Sequence, residues 1–433
     1  MGKVLGGGSS INVMVWARGH KNDWEHFAAE ADDPFWGYES VLGIYRRIEN
    51  WQGASDPLRR GVGGLVYVRS AVDPQPVALA MVEAAQALGL PRFDSPNGEM
   101  MEGRGGVAIN DLIVRDGRRV SVFRSYVRPR RGQANLTILT HALVSKLIFS
   151  GTSVAGVEVI QEGEQRRYFA QLEVVLSLGA INTPKVLMQS GIGPDAELRR
   201  HGILTVQHLP GVGQNHQDHA SFGCIFEYRE PQPIAYGGSE ATLYWSSDAR
   251  LDRPDMFHCQ VEFPVPSAET ASLGVPQHGW TMFAGLAHPK SRGSVHLSGP
   301  NPQDPVLIDA NTLSHPDDLP TALANIELCR ELGGHSAFRQ LASREALPGK
   351  LDDQAMRNYA RNAAVTYWHQ SCTAKMGRDS ISVVDGRLKV YGIERLRIAD
   401  ASIMPNITSG NTMAPCVVIG ERAADMIRVT YGI

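Results

Sequence analysis

Cysteine is scarce and scattered. Five residues in 433, Cys224, Cys259, Cys329, Cys372 and Cys416, form no C-x-x-C pair. An odd, dispersed set in a chain of this size excludes a disulfide framework and points to reduced thiols. Cys372, three residues after His369, reads as a small buried hydrophobe rather than a nucleophile. No apolar run reaches the roughly 18 residues that span a bilayer. Gly2 and Lys3 lead into glycines and serines without the apolar core of a signal peptide, so the expected location is cytoplasmic. Neither sign of charge dominates: the formal net charge is −3, which implies no nucleic-acid partner. Internal repeats and low-complexity tracts are missing. So is a G-x-S-x-G elbow, which sets aside a serine hydrolase. His216 and His219 flank Asp218 but bring no further ligands, so no metal is expected.

What is present is an ordinary globular composition, 43% hydrophobic and 20% charged, in a chain long enough for a large core. That length suggests roughly two to three domains, or two large interleaved ones. The local basic stretch RDGRRVSVFRSYVRPRR (115–131) reads as solvated surface charge, or as a few arginines near a phosphate-bearing cofactor. Apolar spacing and breakers predict helices over 76–90, 317–332, 352–363 and 414–429. β-branched and aromatic runs predict strands at 135–140, 154–160, 172–179, 223–229, 255–263 and 280–289, with 291–299 returning in a hairpin-like meander.

Three stretches suggest a ligand. MGKVLGGGSSINVMVWARG (1–19) is a glycine loop that lets backbone approach a ligand, with Ser9, Ser10 and Asn12 as polar groups. LSLGAINTPKVLMQSGIGP (176–194) is a strand, a small-residue turn and a helix. LRIADASIMPNITSGNTMAPCVVIGERAADMI (396–427) is a strand ending at Asp400, a loop and a terminal helix. Strand ends and helix N-termini are where α/β folds bind anionic ligands.

Together these stretches resemble the glucose-methanol-choline family of flavin oxidoreductases. VTYWHQSCTAKMG (365–377) resembles its catalytic-histidine segment, and GVGQNHQDH (211–219) and the stretch 118–149 also match in order. The resemblance implies non-covalent FAD and a hydride transfer to flavin N5. His369 matches the family's base, and histidine suits proton abstraction near neutral pH. Asn411 matches the second residue of the pair; it can donate a hydrogen bond to the alkoxide, and it also reads as a helix N-cap. Leu5, Gly6, Gly7, Asn12, Met14, Val15, Val144, Asp400, Ala401, Thr412 and Met413 match cofactor-contacting positions, and Trp368 would line the flavin or substrate pocket. For Val144 a place in a core strand is the alternative. Ile11 stands where some choline oxidases carry the histidine that attaches flavin covalently, so no such link is expected.

The expected fold is α/β plus α+β. An incomplete, Rossmann-like FAD-binding domain (1–50, 100–222, 390–433), without the family's opening G-x-G-x-x-G βαβ unit, interleaves with a sheet-rich substrate domain (51–99, 223–389). The expected activity is oxidation of a primary alcohol, aromatic or furanic given Tyr367 and Trp368, to its aldehyde. Oxygen or another acceptor would take the electrons, with no membrane span. Two alternatives are a non-catalytic remnant that retains no FAD, and a hydroxynitrile lyase that uses the histidine without redox chemistry.

Overall fold

The computed structural model describes residues 2–433. Eight α-helices are present among them: α1 Lys21–Ala31, α2 Tyr38–Ile48, α3 Pro76–Ala87, α4 Gly179–Gln189, α5 Asp195–Arg200, α6 Asp318–Gly334, α7 Asp353–Ala363 and α8 Met413–Tyr431. Five of these, α3, α4, α6, α7 and α8, coincide with the sequence expectation. Pro76 opens α3, and the Asp352 carboxylate caps α7 by accepting from Ala355 N at 2.8 Å.

The largest sheet follows from long runs of β-branched and aromatic residues. Its order is Ala342–Leu347, Ala220–Tyr228, Gly279–Leu286, Met256–Val261, Ala241–Trp245, Gly106–Ile109, with Ala364–Thr366 also pairing on the second strand. Every neighbour is antiparallel. Side chains alternate between faces. Phe222, Cys224, Phe226, Leu243 and Met282 bury themselves under α3 and α6. Tyr244, Phe257, Cys259 and Phe283 line the opposite face with Tyr367. Both faces are covered, so Met256–Val261 and Gly279–Leu286 are buried at every position.

A second and larger core gathers the opening segment and the C-terminal third. Trp16, Trp24, Phe27, Trp36 and Tyr45 interlock, with Trp24 and Phe27 centroids 5.0 Å apart. A parallel pair, Val174–Leu176 with Leu396–Ile398, feeds α4 on one side and the Asp400 loop on the other.

Three expectations differ. Residues 135–140 are not a strand; the strand runs Ala142–Ser150, after His141 takes a left-handed φ of 54°. Residues 294–297 do not join the large sheet but pair with 306–309. Helices α1 and α2 were not anticipated, although α2 buries Val41, Leu42, Ile44, Tyr45 and Ile48 on one stripe.

His258 sits in the sheet beneath α6, fully buried, its Nε2 3.3 Å from Asn325 O. Burial pushes its pKa down to about 4. The unfolded chain therefore binds a proton that the folded one does not as pH falls from 6.5 towards 4. Stability is complete above that window and lost within it. Replacing His258 with leucine should shrink the stability difference between pH 7 and pH 5 by about 2 kcal/mol. Urea unfolding at both pH values measures it, and an unchanged difference contradicts the assignment.

Candidate active site

The strand Ala364–Thr366 delivers a tight turn to one end of the large sheet. Trp368 takes a left-handed φ of 59° there. Asp218 clamps the turn: it accepts from His369 N at 3.0 Å, from Gln370 Nε2 at 3.2 Å and from the Thr366 hydroxyl. Burial pushes the Asp218 carboxyl up to about 6. The backbone is thereby pinned on both sides of His369, since Tyr367 N also donates to His219 O at 3.1 Å.

The His369 ring has a partner at each nitrogen. Nδ1 lies 2.8 Å from His219 Nδ1, and Nε2 lies 3.3 Å from Asn411 Nδ2. An amide nitrogen only donates, so Nε2 must present a lone pair. The proton then sits on Nδ1 and points at the lone pair of His219 Nδ1. This chain of donors and acceptors selects the tautomer of His369 that can accept a proton at Nε2. Burial holds the His369 pKa down to about 3 and keeps that of His219 well below its ordinary value. Both rings are neutral at neutral pH.

Asn411 arrives from the other direction, just ahead of α8. Gly410 has φ 82°, and a Cβ there would lie 2.4 Å from the Tyr244 hydroxyl oxygen, so only glycine lets this segment pass. The N-cap of α8 is Thr412, not Asn411, and it makes no side-chain cap. The Asn411 amide faces His369 instead of capping the helix.

His369, Asn411, Val15 and His219 line one small cavity of about 10 Å³, together with Asn110 and the rings of Tyr244, Phe257 and Tyr367. Asn12 ties the opening loop to α8, its Nδ2 donating to Met413 Sδ at 3.1 Å and its Oδ1 accepting from Met14 N at 3.1 Å. Met14 borders a second, wider cleft of about 490 Å³ beside Tyr236 and Val114.

Several residues singled out from the sequence stand apart from this cavity. Trp368 is 65% exposed and does not line it. Val144 pairs with Val159 inside a three-stranded antiparallel sheet. The Asp400 carboxylate is occupied within the protein. It accepts from Gly179 N at 2.9 Å, Ser402 N at 2.8 Å and the hydroxyls of Thr183 and Ser402. Conversely, Asn110, Tyr244 and Phe257 were not foreseen, because each is one residue in an ordinary strand. His219 was weighed only as a metal ligand, although its neighbour Asp218 proves to hold His369.

The residues near Asn12 fit the ring end of FAD. A Cβ at Gly7 or Gly8 would meet open space, and Leu5 and Ile11 are exposed beside them. A flat, largely apolar ring needs such a face. Arg119 supplies positive charge: it donates to Ser9 O at 3.5 Å and to Asn12 Oδ1 at 2.5 Å, and no described carboxylate pairs with it. Among the described residues no helix is long and apolar enough to cross a membrane.

The family models for the GMC oxidoreductases match residues 1–221 and 289–420. The chain is 34% identical to the oxygen-dependent choline dehydrogenase of Brucella anthropi, over 98% of this chain and 81% of that protein. It is 33% identical to an alcohol dehydrogenase [acceptor] of Pseudomonas putida, with the same shares covered. Its structure matches pyridoxine 4-oxidase from Mesorbium loti with a TM-score of 0.91 at 31% identity, over 97% of this chain and 82% of that one. A formate oxidase structure shares the fold at a TM-score of 0.87 and 24% identity, over 99% of this chain and 84% of that one. The chain belongs to the GMC oxidoreductase family, FAD-dependent enzymes that act on CH–OH donors.

Proposed function

We propose that this enzyme oxidises a primary alcohol to its aldehyde, with His369 as the base and Asn411 as its hydrogen-bonding partner. The observation that carries this reading is the pair His369 Nε2 and Asn411 Nδ2, 3.3 Å apart at a ring-lined cavity. The relatives' names, choline dehydrogenase and alcohol dehydrogenase, support a hydroxyl-bearing substrate. The Gly6–Gly7 loop with Leu5, Asn12, Met14, Val15, Val144, Ala401, Thr412 and Met413 would hold FAD, and Asp400 would serve by shaping the backbone around Ala401. Trp368 offers an exposed ring face next to the base. With Ile11 in the loop, the cofactor is held without a covalent link there. Bound FAD supplies the acceptor for two electrons and the carbon-bound hydrogen.

The protein's own part is proton handling and orientation. His369 Nε2 takes the hydroxyl proton, and the positive charge that appears on the ring is shared through Nδ1–H with His219. Asn411 Nδ2 donates to the substrate oxygen as negative charge develops on it. The start of α8, two residues beyond Asn411, adds a favourable field for that charge. The rings of Tyr244, Phe257 and Tyr367 give the cavity apolar walls beside the reacting oxygen.

Anaerobic mixing of FAD-loaded protein with primary alcohols tests the reading. Loss of flavin absorbance is expected, and retained FAD that no primary alcohol bleaches would sink it. The rate should stay flat from pH 9 to about pH 7, where His369 is neutral, and fall below that only as Asp218, pushed up to about 6, is protonated and loosens the turn that holds His369. In Asp218→Asn, which does not titrate, a break near pH 6.5 would contradict the buried, neutral base.

A further inference from the structure

One polar group in the cavity has no part in the proton chemistry. Asn110 closes the strand Gly106–Ile109 and is 1% exposed. Its Nδ2 donates to Ser239 O at 3.4 Å. Its backbone is fully used, N donating to Glu240 O at 2.7 Å and O accepting from Ala71 N at 3.0 Å. Its Oδ1 has no hydrogen-bond partner among the described residues, although the residue lines the cavity with His369 and Asn411. A buried acceptor left unmade costs about 1–3 kcal/mol, so a ligand that supplies a donor recovers that cost on binding.

Charge and hydrogen-bonding capacity narrow the donor. Among the described residues no Asp, Glu, Lys or Arg side chain lines the cavity. A cationic head would enter without a counter-ion, and a trimethylammonium group has no hydrogen to donate. A hydroxyl meets both conditions: it is neutral and a donor.

We propose that Asn110 Oδ1 accepts a hydrogen bond from a second hydroxyl of the substrate, so that this enzyme selects neutral alcohols carrying another hydroxyl over quaternary-ammonium alcohols. This rests on the alcohol-oxidation reading and separates the chain from its choline-dehydrogenase relatives. The aromatic walls carry no such preference, since they treat hydroxylated and plain rings alike.

The test uses FAD-loaded protein and ketone probes, which have no carbinol hydrogen to transfer: acetophenone, its 2-, 3- and 4-hydroxy isomers, and (2-oxopropyl)trimethylammonium, titrated by calorimetry. One hydroxy isomer is expected to bind about tenfold more tightly than acetophenone, the equivalent of about 1.4 kcal/mol. The quaternary-ammonium ketone should bind more weakly than both. Asn110→Leu should erase the hydroxyl preference, so that plain and hydroxylated probes bind alike, and Asn110→Asp, which keeps an acceptor, should retain it. Equal binding of all four acetophenones to the unmodified protein overturns the proposal. So does tighter binding of the quaternary-ammonium ketone, an absence of binding, or a leucine variant that weakens plain and hydroxylated probes equally. Should Asn110→Leu fail to fold, the comparison within the unmodified protein and Asn110→Asp still decides. Because binding is read without turnover, a hydroxyl preference in a protein that no alcohol reduces would refute the redox reading and leave Asn110 assigned.

Discussion

Replacing His369 with alanine is expected to slow flavin reduction by a primary alcohol about 10²–10⁴-fold, the range that a positioned general base contributes. The loss should fall on the rate constant rather than on the apparent substrate affinity. The deleted interaction is a proton transfer that becomes strong only in the transition state. The imidazole also fills space, so glutamine at 369 is the better control: it keeps polar volume but cannot take the proton. Both variants should recover part of their rate as pH rises, because alkoxide formed in solution bypasses the base. Asn411→Ala should cost less, about 10²–10³-fold, without that recovery, since it removes a donor to the oxygen rather than the proton acceptor. His219→Phe removes the partner of Nδ1 and frees the tautomer, so it should lower the rate and move the pH profile while the His369 ring remains. Stopped-flow absorbance under anaerobic conditions reads all four variants. An alanine variant that reduces flavin at the unmodified rate excludes His369 as the base.

The contrast between His369 and its neighbours shows where sequence reasoning reaches. His369 and Asn411 sit in segments whose residue order is itself the signal, so their roles can be inferred without a fold. His219 and Asn110 carry no such signal. His219 reaches His369 because Gln217 and Ser371 form a bridge that lays two distant segments side by side. Asn110 reaches the cavity because Gly106–Ile109 pairs with Ala241–Tyr244 in a register that turns alternate residues toward Tyr244. Strand register is a tertiary property, and one polar residue in a strand reads as surface until both faces are known to be buried. Helix α3 was legible from its opening proline and apolar run, whereas the aromatic and charged residues of α1 gave weak periodicity. Asp400 was legible as a strand-end acid. Its use as an internal clamp depends on Thr183 and Gly179, more than two hundred residues earlier in the chain.

Glu49→Gln is expected to destabilise the fold by about 3–5 kcal/mol, the cost of breaking a buried charge network at one member. Glu49 is fully buried and accepts from Trp16 Nε1 at 2.6 Å and Arg18 Nε at 2.8 Å, with Arg60 Nη1 at 3.4 Å. Arg60 also pairs with Asp111, which accepts from Ser95 Oγ at 2.7 Å and Asn97 Nδ2 at 2.9 Å. The Arg60 guanidinium lies 3.8 Å from the Trp51 ring centroid. Two guanidinium groups and two carboxylates balance, which is what makes their burial tolerable. The glutamine variant leaves two cations facing one anion. Removing Arg18 as well, in Glu49→Gln with Arg18→Met, restores the balance and keeps the Arg60–Asp111 pair. The double variant should therefore lose less than the sum of the two single losses, by about 1–3 kcal/mol. The network also matters to the site, because Trp16 N donates to Asp111 O at 2.7 Å and so fixes the segment that carries Met14 and Val15 into place. Loosening it should weaken FAD retention in the glutamine variant, with partial recovery in the double variant. Urea unfolding and a flavin fluorescence titration measure the two effects. A glutamine variant within about 1 kcal/mol of the unmodified protein, or strict additivity in the double variant, would mean that these charges are solvated and do not form one coupled unit.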